Sequence, residues 1–177
     1  MTPTAFLLAA SLLLSSLPAE AQVTAFVDGR VIDGAGHVIE RGTVVVRDGV
    51  IAEVGPAASV RVPEGATRID LRGKTLTPGL VNAHGHLAPV EGLKTGPEYY
   101  TRDNLLKQLR AYAAYGVTTV FSLGDDQAEA FALRAEQVKG PPGRARVFLA
   151  GPSIAADTAD AARADTDKVI ALEPDLI

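Results

Sequence analysis

Two histidines stand one residue apart, His84 and His86, at the end of the apolar stretch Thr77-Pro78-Gly79-Leu80-Val81-Asn82-Ala83-His84-Gly85-His86-Leu87. In an extended strand, residues i and i+2 project from the same face. Both imidazoles therefore point one way, and Gly85 adds no bulk on the other. Two neutral imidazoles side by side can hold one borderline divalent cation, zinc first among the candidates. A bare His-x-His pair also fits two histidines packed or hydrogen-bonded at a strand end, so the surrounding elements decide its weight. The third histidine, His37, lies far upstream and reads as an ordinary surface or turn residue. There is no cysteine. That excludes a thiol nucleophile, a disulfide scaffold and a Cys-type zinc site, and leaves His and carboxylate groups as metal ligands.

The elements that must position the pair follow from the pattern on either side. From Val23 to Asp70 the chain reads as a small all-β unit of short strands and tight turns. Val44-Val45-Val46 and Val50 to Val54 flank Asp48-Gly49, a two-residue hairpin signal, because both turn positions need positive φ. Thr24–Val27 and Arg30–Ile32 flank a second Asp-Gly, Asp28-Gly29. After Gly73 the rhythm becomes strand, helix, strand. Leu80–Leu87, Val117–Leu123 and Val147–Ala150 read as strands. Leu105, Leu109 and Tyr112 form a helical stripe closed by Gly116; Ala128, Phe131, Ala132, Ala135 and Val138 form another closed by Gly140-Pro141. Ala161, Ala162, Val169 and Ile170 suggest a third helix, and Asp175-Leu176-Ile177 looks like the start of a fourth strand. Such alternation implies parallel strands with crossover helices. A complete (β/α)8 barrel takes about 250 residues, so residues 73–177 hold about three and a half units and the sequence looks truncated.

The remaining features bear on compartment and partners. Ala5–Leu14 is apolar apart from Ser11, and Ala19-Glu20-Ala21 offers small residues for cleavage between Ala21 and Gln22. The run is shorter than the roughly 20 apolar residues of a membrane span. Residues 1–21 are therefore expected to be a signal peptide directing periplasmic or secreted localisation without a membrane anchor, although no Lys or Arg precedes the run. With a net charge of -4 and interspersed charges, nothing resembles a nucleic-acid-binding stripe. A homo-oligomer is left open. Asp125 and Asp126 follow the second strand and read more readily as caps of the next helix than as substrate contacts. Tyr99 and Tyr100 read as packing against the first helix.

Taken together, these residues resemble the amidohydrolase superfamily, and the resemblance covers nearly everything after the leader. Asp28-Gly29-Arg30-Val31-Ile32-Asp33 and Gly42 to Ile51 look like part of its small N-terminal β-sandwich, residues 22–72. Asp70-Leu71-Arg72-Gly73-Lys74-Thr75-Leu76-Thr77-Pro78-Gly79-Leu80 is similar to the segment leading into its (β/α)8 barrel, and His84-Gly85-His86 matches its His-x-His motif. Gly116-Val117-Thr118-Thr119-Val120 resembles the second strand of the branch holding imidazolonepropionase and Xaa-Pro dipeptidase. The family often has Asp where this chain has Asn82; some members carry Asn.

The resemblance implies one or two divalent ions, zinc first, that acidify a water and polarise a carbonyl in hydrolysis of a C–N bond. The implied substrate is a small amide, cyclic amide or dipeptide. It also implies a lysine after strand four, two later histidines and an aspartate after strand eight. The sequence breaks off at Ile177 before any of them, so the catalytic residues are expected beyond it and the 177-residue chain alone is expected to be inactive. The alternatives are a deaminase of the same superfamily and a non-catalytic metal-binding or interaction module.

Overall fold

Asp48 and Gly49 both adopt positive φ, 51° and 79°, and reverse the chain between two valine-rich strands as the sequence predicts. The computed structural model describes residues 22–140 and 143–177. The expected signal peptide, including Ala21 of the cleavage pair, lies outside the described residues. The chain divides into two compact units. One holds the described residues up to Val31 together with Val38–Leu76; the other holds Ile32–His37 and Thr77–Ile177.

In the first unit, β1 (Val23–Ile32), β2 (Val38–Arg47), β3 (Val50–Pro56), β4 (Thr67–Asp70) and β5 (Thr75–Leu76) form one sheet. The order is β3-β2-β1-β4, with β5 also on β1. Ala25, Val45 and Val60 form its buried cluster. The second Asp-Gly does not reverse the chain. β1 runs through Asp28-Gly29 and pairs in parallel first with β4 (Thr24–Val27 with Thr67–Asp70), then with β5 (Arg30–Val31 with Thr75–Leu76). Asp28, at φ 62°, therefore sits opposite the break between β4 and β5. A Cβ on Gly29 would lie 2.6 Å from the Leu71 Cβ, so glycine here answers a close approach.

In the second unit, β6 (Leu80–Gly85), a small antiparallel hairpin of β7 (Val90–Glu91) and β8 (Lys94–Thr95), α1 (Arg102–Ala114), β9 (Val117–Ser122), α2 (Ala128–Glu136), β10 (Arg146–Leu149) and α3 (Ala159–Ile170) follow in order. β6, β9 and β10 form a parallel sheet with β9 in the middle, matching the expected strand–helix alternation. Thr101 caps α1 by accepting the Asn104 N–H at 3.4 Å, and Gly116 (φ 81°) follows the helix where the sequence places its stop. The stripe residues Leu105 and Leu109 pack with Val120, Ala130, Leu133, Val147 and Leu149 into one buried core. Tyr100 joins that core, as expected, and its hydroxyl accepts the Gln127 N–H at 3.1 Å.

The expected fourth strand at Asp175–Ile177 does not form. Asp175 donates its N–H to the Leu149 carbonyl (2.8 Å), but the Leu149 N–H returns to the Asp175 carboxylate (2.9 Å). A side chain takes the place that a strand's backbone carbonyl would occupy, and the ladder ends after one rung. Arg134 fixes the segment further by donating to the Glu173 carbonyl at 2.6 Å.

Burial pushes the Tyr100 phenol up to about 12; the Gln127 N–H opposes this, and the nearby Asp126, Glu129 and Asp125 add to it. Because the folded value is raised, the stability it contributes is intact below pH 10 and is lost as pH rises through about 12. The denaturant midpoint should therefore fall more steeply over this window in the native chain than in Tyr100→Phe. Equal slopes in parallel urea titrations would refute the assignment.

Candidate metal centre

The register between β6 and β9 carries an irregularity at the histidines. Asn82 pairs with Val120 and Gly85 with Ser122, so three steps along β6 match two along β9. One extra residue in a strand is a bulge, which re-aims the side chains beyond it. Gly85 turns toward the helices: a Cβ there would meet the Val120 Cγ1 and the Asn82 Nδ2 at 2.9 Å and the Tyr112 hydroxyl at 3.3 Å. His84 and His86, on either side of it, turn to the opposite face and are exposed. The His84 N–H, displaced from the ladder by the bulge, donates to the Asn82 Oδ1 at 3.1 Å. An aspartate could accept this bond equally well.

His86 falls one residue beyond the end of β6, so the expected strand to Leu87 is two residues too long. The rings nevertheless come together, with centroids 5.5 Å apart and planes at 65°. Two imidazoles bound to one tetrahedral ion at Zn–N distances of about 2.0–2.1 Å have ring centres roughly 5 Å apart. The pair fits two corners of such a coordination shell. Among the described residues no group of three or more His, Cys, Asp or Glu could hold an ion. His37 is not part of the site: its Nδ1 bonds the Asp33 Oδ2 at 2.7 Å on an exposed turn, as expected of a surface residue.

The capping role expected of Asp125 and Asp126 is not what the structure shows. The residue before α2 is Gln127, and no side chain caps that helix. Asp125 is exposed with φ 60°. Asp126 is fully buried, and its Oδ2 accepts the N–H groups of Ala150 and Gly151, both at 3.1 Å. Burial raises its pKa, while the Ser122 hydroxyl, the Gly151 and Ala150 N–H groups and the nearby His86 pull it down. The loop after His86 is held as firmly. Leu87 donates its N–H to the buried Ser122 Oγ at 2.9 Å, and Gln108 brackets Ala88 by accepting its N–H (3.2 Å) and donating to its carbonyl (2.9 Å).

No family model matches the chain. Among curated proteins it is similar to a dihydroorotase from Anaeromyxobacter dehalogenans, 41% identical over 95 residues that cover 54% of this chain and 20% of that protein. It is also similar to an imidazolonepropionase from Acidiphilium cryptum, 33% identical over 144 residues, covering 62% of this chain and 36% of that one. The solved structure of a Xaa-Pro dipeptidase with bound methionine superposes at a TM-score of 0.62 with 26% identity, over 76% of this chain and 34% of the other. These likenesses support the resemblance to the amidohydrolase superfamily. The chain spans 20% and 36% of the length of the two curated relatives named here.

Sequence reasoning singled out the two histidines whose rings the structure brings together, and missed the residues that support them. Ser122 carried a signal: a small hydroxyl residue at the end of a β-branched and aromatic strand, two positions from Val120 on the helix-facing side. Gln108 and Asn104, whose Nδ2 donates to the carbonyls of Val90 (2.7 Å) and Tyr99 (2.8 Å), gave none beyond lying one turn apart on α1.

Gly85 offers a direct check. Gly85→Ala places a methyl where Val120 and Asn82 already stand, and strain of this kind typically costs about 1–3 kcal/mol. The substitution should lower the urea midpoint accordingly and spread the two histidine rings. A stability equal to that of the native chain would show that the close approach is not there.

Proposed function

We propose that this chain contributes to a metal-dependent hydrolase of C–N bonds in small amides, cyclic amides or dipeptides, with His84 and His86 as two ligands of its ion. The observation that carries this reading is the meeting of the two rings at a separation suited to one ion, at the C-terminal end of the first of three parallel strands. Barrel enzymes build their active sites on that face. The parallel order β10-β9-β6 with intervening helices supports reading residues 73–177 as the opening units of a (β/α)8 barrel. The sheet of the first unit supports reading residues 22–72 as part of a β-sandwich.

When bound, a divalent ion supplies Lewis acidity, acidifying water and polarising a carbonyl. The chain's own residues hold and orient the imidazoles: the bulge aims them, Asn82 satisfies the His84 backbone, and Ser122 and Gln108 fix the turn after His86. The relatives named dihydroorotase, imidazolonepropionase and Xaa-Pro dipeptidase favour a ring amide or dipeptide over deamination as the reaction.

Two neutral imidazoles leave an ion largely hydrated, so zinc should bind the 177-residue chain only loosely. Either His84→Ala or His86→Ala should abolish that binding in a calorimetric titration. The chain alone should turn over no member of a panel of amides, hydantoins and dipeptides. Tight stoichiometric binding, retention of binding in both variants, or metal-dependent turnover would each count against the assignment.

We also propose export. The support is the apolar run Ala5–Leu14 followed by Ala19-Glu20-Ala21. Protein recovered from the medium or periplasm of a secreting host should begin at Gln22 by intact mass, and a mass retaining Met1 would exclude it.

A further inference from the structure

Behind the histidine pair, on the helix-facing side of the sheet, lies a buried polar chain that the ligand reading does not use. Ser122 and Asp126 are both fully buried. The acceptor side of the Ser122 hydroxyl takes the N–H of Leu87, the residue that follows His86. Its proton is then free to be given. The Ala150 N–H is shared between the Ser122 carbonyl (3.0 Å) and the Asp126 Oδ2 (3.1 Å), so the Asp126 carboxylate sits beside Ser122. Its Oδ2 is committed to Ala150 and Gly151, and its own N–H to the Gly151 carbonyl at 3.3 Å. Its Oδ1 has no hydrogen-bond partner among the described residues. A buried carboxylate oxygen without a partner is costly, and the nearby hydroxyl has one proton to offer.

We propose that Ser122 and Asp126 are positioning residues for His86, joined by a hydrogen bond from the Ser122 hydroxyl to the Asp126 Oδ1. The relay runs from the Leu87 N–H through Ser122 to Asp126, which is anchored by the N–H groups of Ala150 and Gly151. It ties the C-terminal ends of β6, β9 and β10 to one charge. Hydrogen bonds to an ionised acceptor are roughly twice as strong as neutral ones, so the charge stiffens each link. On the β6 side the relay's backbone partner is the residue after His86. A purely packing role would be met as well by an alanine and an apolar side chain, without a buried charge. The proposal rests on the reading of His86 as a ligand.

The test uses the full chain with Ser122→Ala, Asp126→Asn, the double variant, and Leu133→Val as a core control away from the relay. Two readouts are taken: cobalt(II) affinity by absorption titration, and the ring nitrogen resonances of both histidines in the metal-free chain. Loss of groups that orient a ligand typically weakens metal binding by about 10- to 100-fold. Each single relay variant should lose affinity on the order of 10-fold and shift the His86 ring resonances more than those of His84. The double variant should be no worse than the weaker single, since both cut one chain. Leu133→Val should lose stability without moving either readout. If the relay variants lose stability as the control does, yet keep affinity and His86 resonances unchanged, the proposal is overturned. Additive losses in the double variant would overturn the Ser122–Asp126 link, with a buried water on Oδ1 as the replacement. If the native chain binds no cobalt, the ligand reading fails by itself, and the His86 resonances alone decide whether the relay positions that residue.

Discussion

The close approach of β6 to β9 at Gly85 governs where the two imidazoles go. Paired residues in a parallel ladder share a face, so Asn82 opposite Val120 belongs to the helix side. Without an extra residue, His84 would fall opposite Ser122 and turn into the core beside Leu87 and Val120. The bulge places Gly85 there instead, and only a residue lacking a Cβ fits against Val120, Asn82 and Tyr112. A one-residue change of register inverts every later side chain. The bulge and the glycine are therefore one device: the first reverses the parity, and the second makes the reversed parity sterically possible. Asn82 closes the device by accepting the N–H that the bulge displaces.

This inversion separates two environments across one sheet. On the helix side, Val120, Val147 and Leu149 pack with the leucines of α1 and α2, and the polar groups there, Ser122 and Asp126, are fully buried. On the other side, His84 and His86 are exposed, and Phe121 and Phe148, alternating with the core residues, stack at 4.9 Å. Exposed rings keep their nitrogens available to an ion, while the buried side supplies rigidity. Rigid support beneath an open site is what metal coordination demands, since affinity depends on ligands being held in place before the ion arrives.

The parts of this arrangement that follow from local periodicity were legible in the sequence. The Asp48-Gly49 hairpin, the α1 stripe of Leu105 and Leu109, the Gly116 stop and the parallel strands all rest on spacing that a single segment carries. The features that were misread depend on partners distant in sequence. Asp28-Gly29 carries a hairpin signal, yet its conformation answers the break between β4 and β5, some 40 residues on. Asp126 has the composition of a cap, but its partners are Ala150 and Gly151 on the next strand's end. Asp175-Leu176-Ile177 has the apolar pattern of a strand, and a single carboxylate bonding to Leu149 pre-empts the ladder. At the site, the His-x-His spacing predicts two rings on one face, and the structure brings them together, although the bulge breaks the regular alternation assumed. The i, i+2 relation survives because the two histidines flank Gly85, which the bulge turns toward the helices.

The position of Asp126 also bears on why a buried carboxylate is retained at all. Removing a charge from water costs several kcal/mol unless its hydrogen-bonding capacity is met. Here the compensation comes from two backbone N–H groups of one strand end on Oδ2 and, in the proposed relay, from the Ser122 hydroxyl on Oδ1. A salt bridge would satisfy the charge but fix only one side chain. Backbone donors fix the chain itself, and those of Ala150 and Gly151 lie at the same edge of the sheet as His86. A neutral residue would spare the desolvation cost, yet it would hold the three strand ends more loosely. The arrangement thus places the burial penalty at the rim of the sheet from which His84 and His86 project.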